Sequence, residues 1–208
     1  PLRAAQNDNY FKNIRFDPVH ELSTNASDQS IAQAAVERLK EDINTGNDHL
    51  IMARCATIDR AEQVLGYYKQ IASEFNPLLI HSEQSDSESR IESLKRKDSR
   101  IAVCVNMLGE GFDLPELKIA ALHDTHKSLA VLLQFTGRFT RTAGNNLGDA
   151  TVIANIADPD VSAGLERLYS EDSDWNYLLS ELSSRASKEH KELIDFLNNS
   201  KPIDKESE

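Results

Sequence analysis

The chain has 208 residues, of which 39% are hydrophobic and 27% are charged, the composition of an ordinary globular protein large enough for one α/β domain and an appendage. No apolar run approaches the roughly 20 residues of a membrane-spanning helix, and no basic-then-apolar signal pattern begins the sequence. The net charge of −11 argues against wholesale electrostatic attraction to nucleic acid, although it leaves room for a local cationic strip.

The two cysteines indicate a reducing compartment. Cys55 and Cys104 both lie in apolar, strand-like runs, which is typical of small buried residues and not of a disulfide or a metal pair. A cytoplasmic protein is the simplest account of this pattern. The sequence begins at Pro1 without an initiator Met or a targeting signal, and we interpret it as part of a longer polypeptide.

Short β-branched runs alternate with longer helical periods, a pattern typical of a parallel α/β sheet. The first predicted strand, 13–21, contains Pro18, which cannot donate a ladder hydrogen bond and therefore favours an edge position. Ser27 or Asp28 is predicted to cap the helix that follows. The apolar face of this helix is formed by Ile31, Ala35, Leu39 and Ile43.

The rest of the chain continues the same alternation. The second predicted strand, 49–55, is apolar without alternation, so we expect it to be buried on both faces. The further predicted strands are 77–81, 100–105, 118–123 and 150–156, and the predicted helices are 58–75, 85–97 and one that begins at Ser128. We therefore expect an α/β domain over residues 1–157 and a helical extension with a disordered end over 158–208.

Residues 134–141 carry the pattern Gln-x-x-Gly-Arg-x-x-Arg on a predicted helix. Arg138 and Arg141 are three residues apart, so their side chains share one helix face. Guanidinium groups are permanently charged, forked donors that suit a polyphosphate whose charge grows during hydrolysis. Gly137 interrupts an otherwise good helix at a cost of about 1 kcal/mol relative to Ala, which favours a functional origin for the pattern.

A second pattern, Glu-Gly-x-Asp-x-Pro, lies at residues 110–115 after the predicted strand 100–105. Gly111 permits a tight turn, and Pro115 ends regular structure. Asp113 can accept hydrogen bonds from the hydroxyl groups of a sugar. The carboxyl edge of an open parallel sheet, where this turn is expected, is also where such folds bind ligands.

Together the two patterns resemble motifs V and VI of superfamily 2 helicases of the DEAD and DEAH type, which belong to the second of two RecA-like motor lobes. Glu110 stands where families with the DEAD signature carry Arg. This form is more similar to type III restriction subunits and DEAH-like helicases, many of which translocate on DNA. The resemblance covers about residues 48–156, and it implies a RecA-like three-layer sandwich with a central parallel sheet.

The resemblance also implies roles for these residues. Arg138 and Arg141 would be arginine fingers that reach the γ-phosphate bound on the other lobe, and Gln134 would help to position the nucleotide. The implied cofactor-binding residues are Glu110, Gly111 and Asp113, with Asp113 on the ribose.

A track for the nucleic-acid backbone is implied at three strand ends. Arg54 and Thr57 lie where strand 49–55 ends and the next helix begins, a position that suits a phosphate. An ordinary strand followed by a capped helix predicts the same residues, and the sequence gives the two interpretations equal weight. The same holds for His81 after the third strand. Asn106 and Met107 follow the fourth strand, and such contacts hold a nucleic acid without reading its sequence.

ATP and Mg²⁺ are the implied cofactors, but the sequence motifs that hold them do not occur in this chain. It contains neither Gly-x-x-x-x-Gly-Lys-Ser/Thr nor an Asp-Glu-x-Asp/His box after a strand. In the family these elements belong to the N-terminal lobe. We therefore expect that lobe, in the same polypeptide, and a nucleic acid, DNA before RNA, as partners, and no ATP hydrolysis by this chain alone.

Two other functions are compatible with parts of the sequence. A RecA-like lobe can serve as a scaffold in a protein whose motor is inactive, although paired arginines argue against this. An unrelated α/β phosphohydrolase could use His123, Asp124 and His126 as metal ligands. That set lies in one short loop without further ligands, and no metal site is predicted.

Overall fold

Six parallel strands form the sheet on which the described part of the chain is built. The computed structural model describes residues 14–105, 114–124, 148–155 and 157. The strands are β1 (Ile14–Val19), β2 (Leu50–Cys55), β3 (Leu78–Ile80), β4 (Ile101–Val105), β5 (Leu117–Leu122) and β6 (Ala150–Asn155). Their spatial order is β1-β6-β5-β2-β4-β3, and each neighbouring pair is parallel. The predicted α/β class with a central parallel sheet is confirmed.

Two helices cover one face of this sheet. The helices in the described ranges are α1 (Thr24–Asn44), α2 (Ile58–Ile71) and α3 (Ser87–Lys95), and a 3-10 turn at Ser73–Phe75 follows α2. α1 and α2 pack against each other and against the central strands. Each Leu or Ile side chain buried in this core contributes roughly 1.5–3 kcal/mol. The core includes Ile31, Leu39, Ile51, Val64, Tyr68, Val103, Ile119 and Ile153.

The strand β2 is buried on both faces, as its continuous apolar run predicted, and the other central strands are buried as well. Every residue of β2, β4, β5 and β6 is buried. The edge prediction for Pro18 is also confirmed, because β1 is the outermost strand and pairs with β6 alone, with Pro18 opposite Ala154.

The predicted start of the first helix is wrong. Ser23 is the N-cap of α1, and its Oγ accepts a hydrogen bond from the Ala26 N–H at 3.3 Å. Ser27 and Asp28 lie inside the helix and are buried. Asp28 stands three positions before Ile31, so it belongs to the buried face of α1, and its carboxylate needs a partner there.

Several predicted elements lie outside the described residues. They are the helix after Ser128 and the extension 158–208, and the boundary at 157 stays a prediction. Among the helices that the structure describes, none is both long enough and apolar enough to cross a membrane.

Candidate functional site

The two segments that contain the sequence motifs each follow a strand that neighbours β2. In a parallel sheet the carboxyl ends of all strands lie at the same edge, and neighbouring strands are about 5 Å apart. β2 pairs with β4 on one side and with β5 on the other. β4 ends at Val105, directly before segment 106–113, and the chain leaves β5 through His123 and Asp124 into segment 125–147. The chain thus enters both motif-bearing segments from strands that flank β2.

Arg54 lies near the carboxyl end of β2 and is buried. It stands opposite Cys104 of β4 and Leu122 of β5, and it is only 5% exposed. Burial lowers the pKa of Arg54, and Asp124 is among the groups that oppose this shift. Its backbone carbonyl accepts a hydrogen bond at 3.0 Å from the N–H of His123. Arg54 is thereby part of the link between the ends of β2 and β5.

Thr57 begins α2 at the same edge and is exposed. Its hydroxyl accepts a hydrogen bond from the N–H of Arg60 at 3.3 Å, and its backbone is extended, so it is the N-cap of the helix. The free N–H groups of a first helical turn favour an anion, although Asp59 already supplies a carboxylate in this turn. Of the two residues predicted at the end of β2, Thr57 is the accessible one.

His81 follows β3 and is half-buried. Its backbone N–H donates to the side-chain carbonyl of Gln84 at 3.2 Å. Arg90 holds the same loop, because it donates to the Leu79 carbonyl and to the Asp86 carboxylate, both at 2.8 Å. The buried Nδ1 of His81 has no hydrogen-bond partner within the described part of the chain.

A buried polar cluster lies between α1, α2 and the end of β5. Nδ1 of His123 is 3.0 Å from Oδ1 of Asp28, and its Nε2 is 3.2 Å from the hydroxyl of Tyr68. The Asp28 carboxylate accepts from the Nδ1–H of His123, and the Tyr68 hydroxyl shares a hydrogen bond with Nε2. Burial would raise the pKa of Asp28, but hydrogen bonds from His123 and Arg60 outweigh it and leave that pKa lowered. Burial raises the pKa of Tyr68.

Arg60 joins this cluster to the exit of β5. Its guanidinium contacts both carboxylate oxygens of Asp28, at 2.8 and 3.0 Å, and its Nε is 3.2 Å from Oδ1 of Asp124. The hydrogen bond to Asp28 is the main reason why the pKa of Arg60 is raised. The other oxygen of Asp124 accepts from the N–H of Ala56 at 3.0 Å. Sequence reasoning did not find this network, because its members come from positions far apart in the chain.

These contacts weigh against a metal site at His123 and Asp124. Both ring nitrogens of His123 are engaged by protein groups. In the ranges that the structure describes, no three His, Cys, Asp or Glu side chains are grouped so as to hold a metal ion. His126 lies outside those ranges.

The remaining predicted site residues also lie outside the described ranges. They are Asn106, Met107, Glu110, Gly111, Asp113, Gln134, Arg138 and Arg141.

Comparison with known proteins identifies the family. The model of the helicase conserved C-terminal domain matches residues 34–143, which contain both sequence motifs. UvrABC system protein B of Onion yellows phytoplasma is 32% identical over 135 residues, 60% of this chain and 19% of the relative. The same-named protein of Thermosipho africanus is 42% identical over 72 residues, 31% of this chain and 11% of the relative. The chain thus spans less than a fifth of these relatives.

Solved structures share the fold. Mss116p DEAD-box helicase domain 2, bound to an RNA duplex, superimposes with a TM-score of 0.54 at 16% identity, over 76% of this chain and 57% of that one. S. cerevisiae Dbp5, bound to RNA and ADP BeF3, gives 0.54 at 16% identity, over 78% and 39%. The six-stranded parallel sheet is thus the RecA-like fold of helicase C-terminal domains, and the phosphohydrolase alternative is wrong. This chain belongs to the helicase conserved C-terminal domain family.

Proposed function

We propose that this lobe is the second motor domain of an ATP-dependent translocase, in which Arg138 and Arg141 complete an ATP site formed with the N-terminal lobe. The observation that carries the proposal is the strand order. β2 lies between β4 and β5, from which the chain enters the segments that hold Asp113 and the two arginines. Hydrolysis and contact with nucleic acid would therefore be controlled from one edge of one sheet.

ATP and Mg²⁺ belong mainly to the other lobe in this proposal. A bound Mg²⁺ neutralises charge on the phosphates during transfer. No carboxylate of the described ranges is assigned to it, since none belongs to a three-ligand group there. From this lobe, Asp113 would hold the ribose, with Gly111 and Glu110 forming the turn. Arg138 and Arg141 would stabilise the charge that develops on the γ-phosphate, and Gln134 would position the nucleotide.

Three neighbouring strand ends would form the track for the nucleic-acid backbone. Thr57 follows β2 and His81 follows β3, with the end of β4 between them, so the outer two ends are about 10 Å apart. Asn106 and Met107 continue from β4. The exposed hydroxyl of Thr57 is a suitable partner for phosphate oxygens, and the half-buried His81 would flank the track. Arg54, being buried, would support this edge with its positive charge.

DNA is the proposed substrate, and the type III restriction-subunit or DEAH-like group the proposed subfamily. Both rest on the Glu-Gly-x-Asp-x-Pro form of the turn at 110–115. The RNA bound to Mss116p and Dbp5 belongs to proteins only 16% identical to this chain.

ATPase measurements on the full-length protein test this function. Turnover is compared without nucleic acid and with saturating single-stranded DNA, duplex DNA or single-stranded RNA. Stimulation by DNA is the expected result. Stronger stimulation by RNA would reassign the substrate but keep the motor. A protein that binds nucleic acid without ATP turnover would instead be the inactive scaffold.

A further inference from the structure

We propose that Arg60 and Asp124 are positioning residues that couple nucleic-acid binding at the end of β2 to ATP hydrolysis by the arginine-bearing segment. The inference rests on the function proposed above and adds to it a route between the two sites. Neither residue belongs to the sequence motifs, and neither is assigned to a ligand.

Asp124 connects the end of β5 to the turn between β2 and α2 through Ala56 and Arg60, and we call these two contacts the clasp. One carboxylate oxygen accepts the N–H of Ala56, which directly precedes Thr57, and the other is 3.2 Å from Nε of Arg60 in the first turn of α2. The end of β5 is thus attached to the β2–α2 turn at two points. Along the sequence, Asp124 precedes Arg138 by 14 positions and Arg141 by 17.

Asp28 restrains the guanidinium of Arg60 and thereby the clasp. The two Nη atoms of Arg60 are held by the buried carboxylate of Asp28, which is 1% exposed, and Arg60 and Asp124 are each only 21% exposed. A guanidinium in contact with two carboxylates has little rotational freedom. A displacement of the β2–α2 turn, such as a phosphate at Thr57 would cause, is therefore passed to Asp124 and is not absorbed by a flexible side chain.

The residues on which folding stability depends are different from the residue at which coupling can be tested. Asp28, His123 and Tyr68 form the buried part of the network, where loss of a partner leaves a polar group unsatisfied. Asp124 is at the partly exposed end, so its removal breaks the clasp while Arg60 keeps Asp28 as its partner. Asp124 is therefore the better position for a test.

The test is the stimulation ratio of the full-length protein, defined as ATP turnover with saturating nucleic acid divided by turnover without it. The nucleic acid is the one that stimulates the wild type most strongly among single-stranded DNA, duplex DNA and RNA. The ratio is independent of the folded fraction, because misfolding lowers both rates equally. The variants are Asp124→Ala, Asp124→Asn and Arg60→Ala. Glu74→Ala is the matched control, since it removes an equal charge from an exposed ion pair with Lys40.

We expect Asp124→Ala to lower the ratio by about fivefold, with a nucleic-acid Kd within about twofold of the wild-type value. Asp124→Asn keeps an acceptor oxygen for either Ala56 or Arg60 but not for both, and it should give an intermediate ratio. Arg60→Ala should match Asp124→Ala if it folds, and Glu74→Ala should keep the wild-type ratio. An unchanged ratio in Asp124→Ala overturns the inference, as does a nucleic-acid Kd weakened well beyond twofold, which would place Asp124 in binding. If the wild type shows no stimulation, the proposed function fails and this inference with it. A stimulated wild type with a normal Asp124→Ala ratio refutes only the coupling.

Discussion

Asp28 and His123 are 95 positions apart in the sequence, yet Oδ1 of Asp28 lies 3.0 Å from Nδ1 of His123 in a site where both side chains are buried. This contact ties α1 to the exit of β5, and Arg60 extends it to α2. The stability of the sheet edge should therefore depend on a single carboxylate.

Asp28→Ala should lower the free energy of unfolding by roughly 3 kcal/mol, since it leaves the buried His123 and the half-buried Arg60 without their shared partner. Urea unfolding of the chain measures the change. Asp98→Ala is the control, because Asp98 pairs with Arg96 where both side chains are more than half exposed, and such pairs contribute about 0–1 kcal/mol. Equal losses in the two variants would contradict the role given to Asp28.

The lowered pKa of Asp28 predicts how this contribution depends on pH. A carboxylate with a folded pKa below its unfolded value stabilises the protein above the unfolded pKa, about 4, and loses that effect as pH falls through the folded pKa. The stability difference between wild type and Asp28→Asn should shrink as pH falls below about 4. A difference that grew as pH fell from about 4 would contradict a lowered pKa for Asp28.

Two glycines should respond in opposite directions to substitution by alanine. Gly148, before β6, has φ of +52°, and an ideal Cβ there would be 3.1 Å from Oδ1 of Asn47 and 3.2 Å from Cε1 of His49. Gly148→Ala should therefore destabilise the chain by about 1–2 kcal/mol. Gly66 lies within α2 with nothing within 4 Å of its ideal Cβ, so Gly66→Ala should stabilise by about 0.5–1 kcal/mol. Thermal unfolding of both variants gives the signs, and a stabilising Gly148→Ala would contradict the positive φ and the close neighbours of Gly148.

The order of elements along the chain was predictable from the sequence, because each element leaves a local pattern. Continuous apolar runs marked the buried strands β2 and β4, and Pro18 placed β1 at an edge. Spatial strand order was not predicted, since β4 and β5 meet β2 only through non-local pairing.

The Asp28 network was missed for a related reason. A carboxylate near a helix start is usually a cap, and Asp28 was interpreted in that way. Its spacing before Ile31 and Ala35 placed it on the apolar face of α1, which was the available signal that it has a buried partner. The identity of that partner, at positions 60 and 123, has no local signal at all.

The arginine-finger assignment is the central claim, and Arg138→Ala in the full-length protein tests it most directly. Arg96→Ala is the matched control, because Arg96 is exposed in the turn after α3. Turnover at saturating ATP and nucleic acid should fall by about 10³-fold in Arg138→Ala, with little change in nucleic-acid Kd, and should be unchanged in Arg96→Ala. Turnover of Arg138→Ala within about twofold of the wild-type rate would contradict the claim.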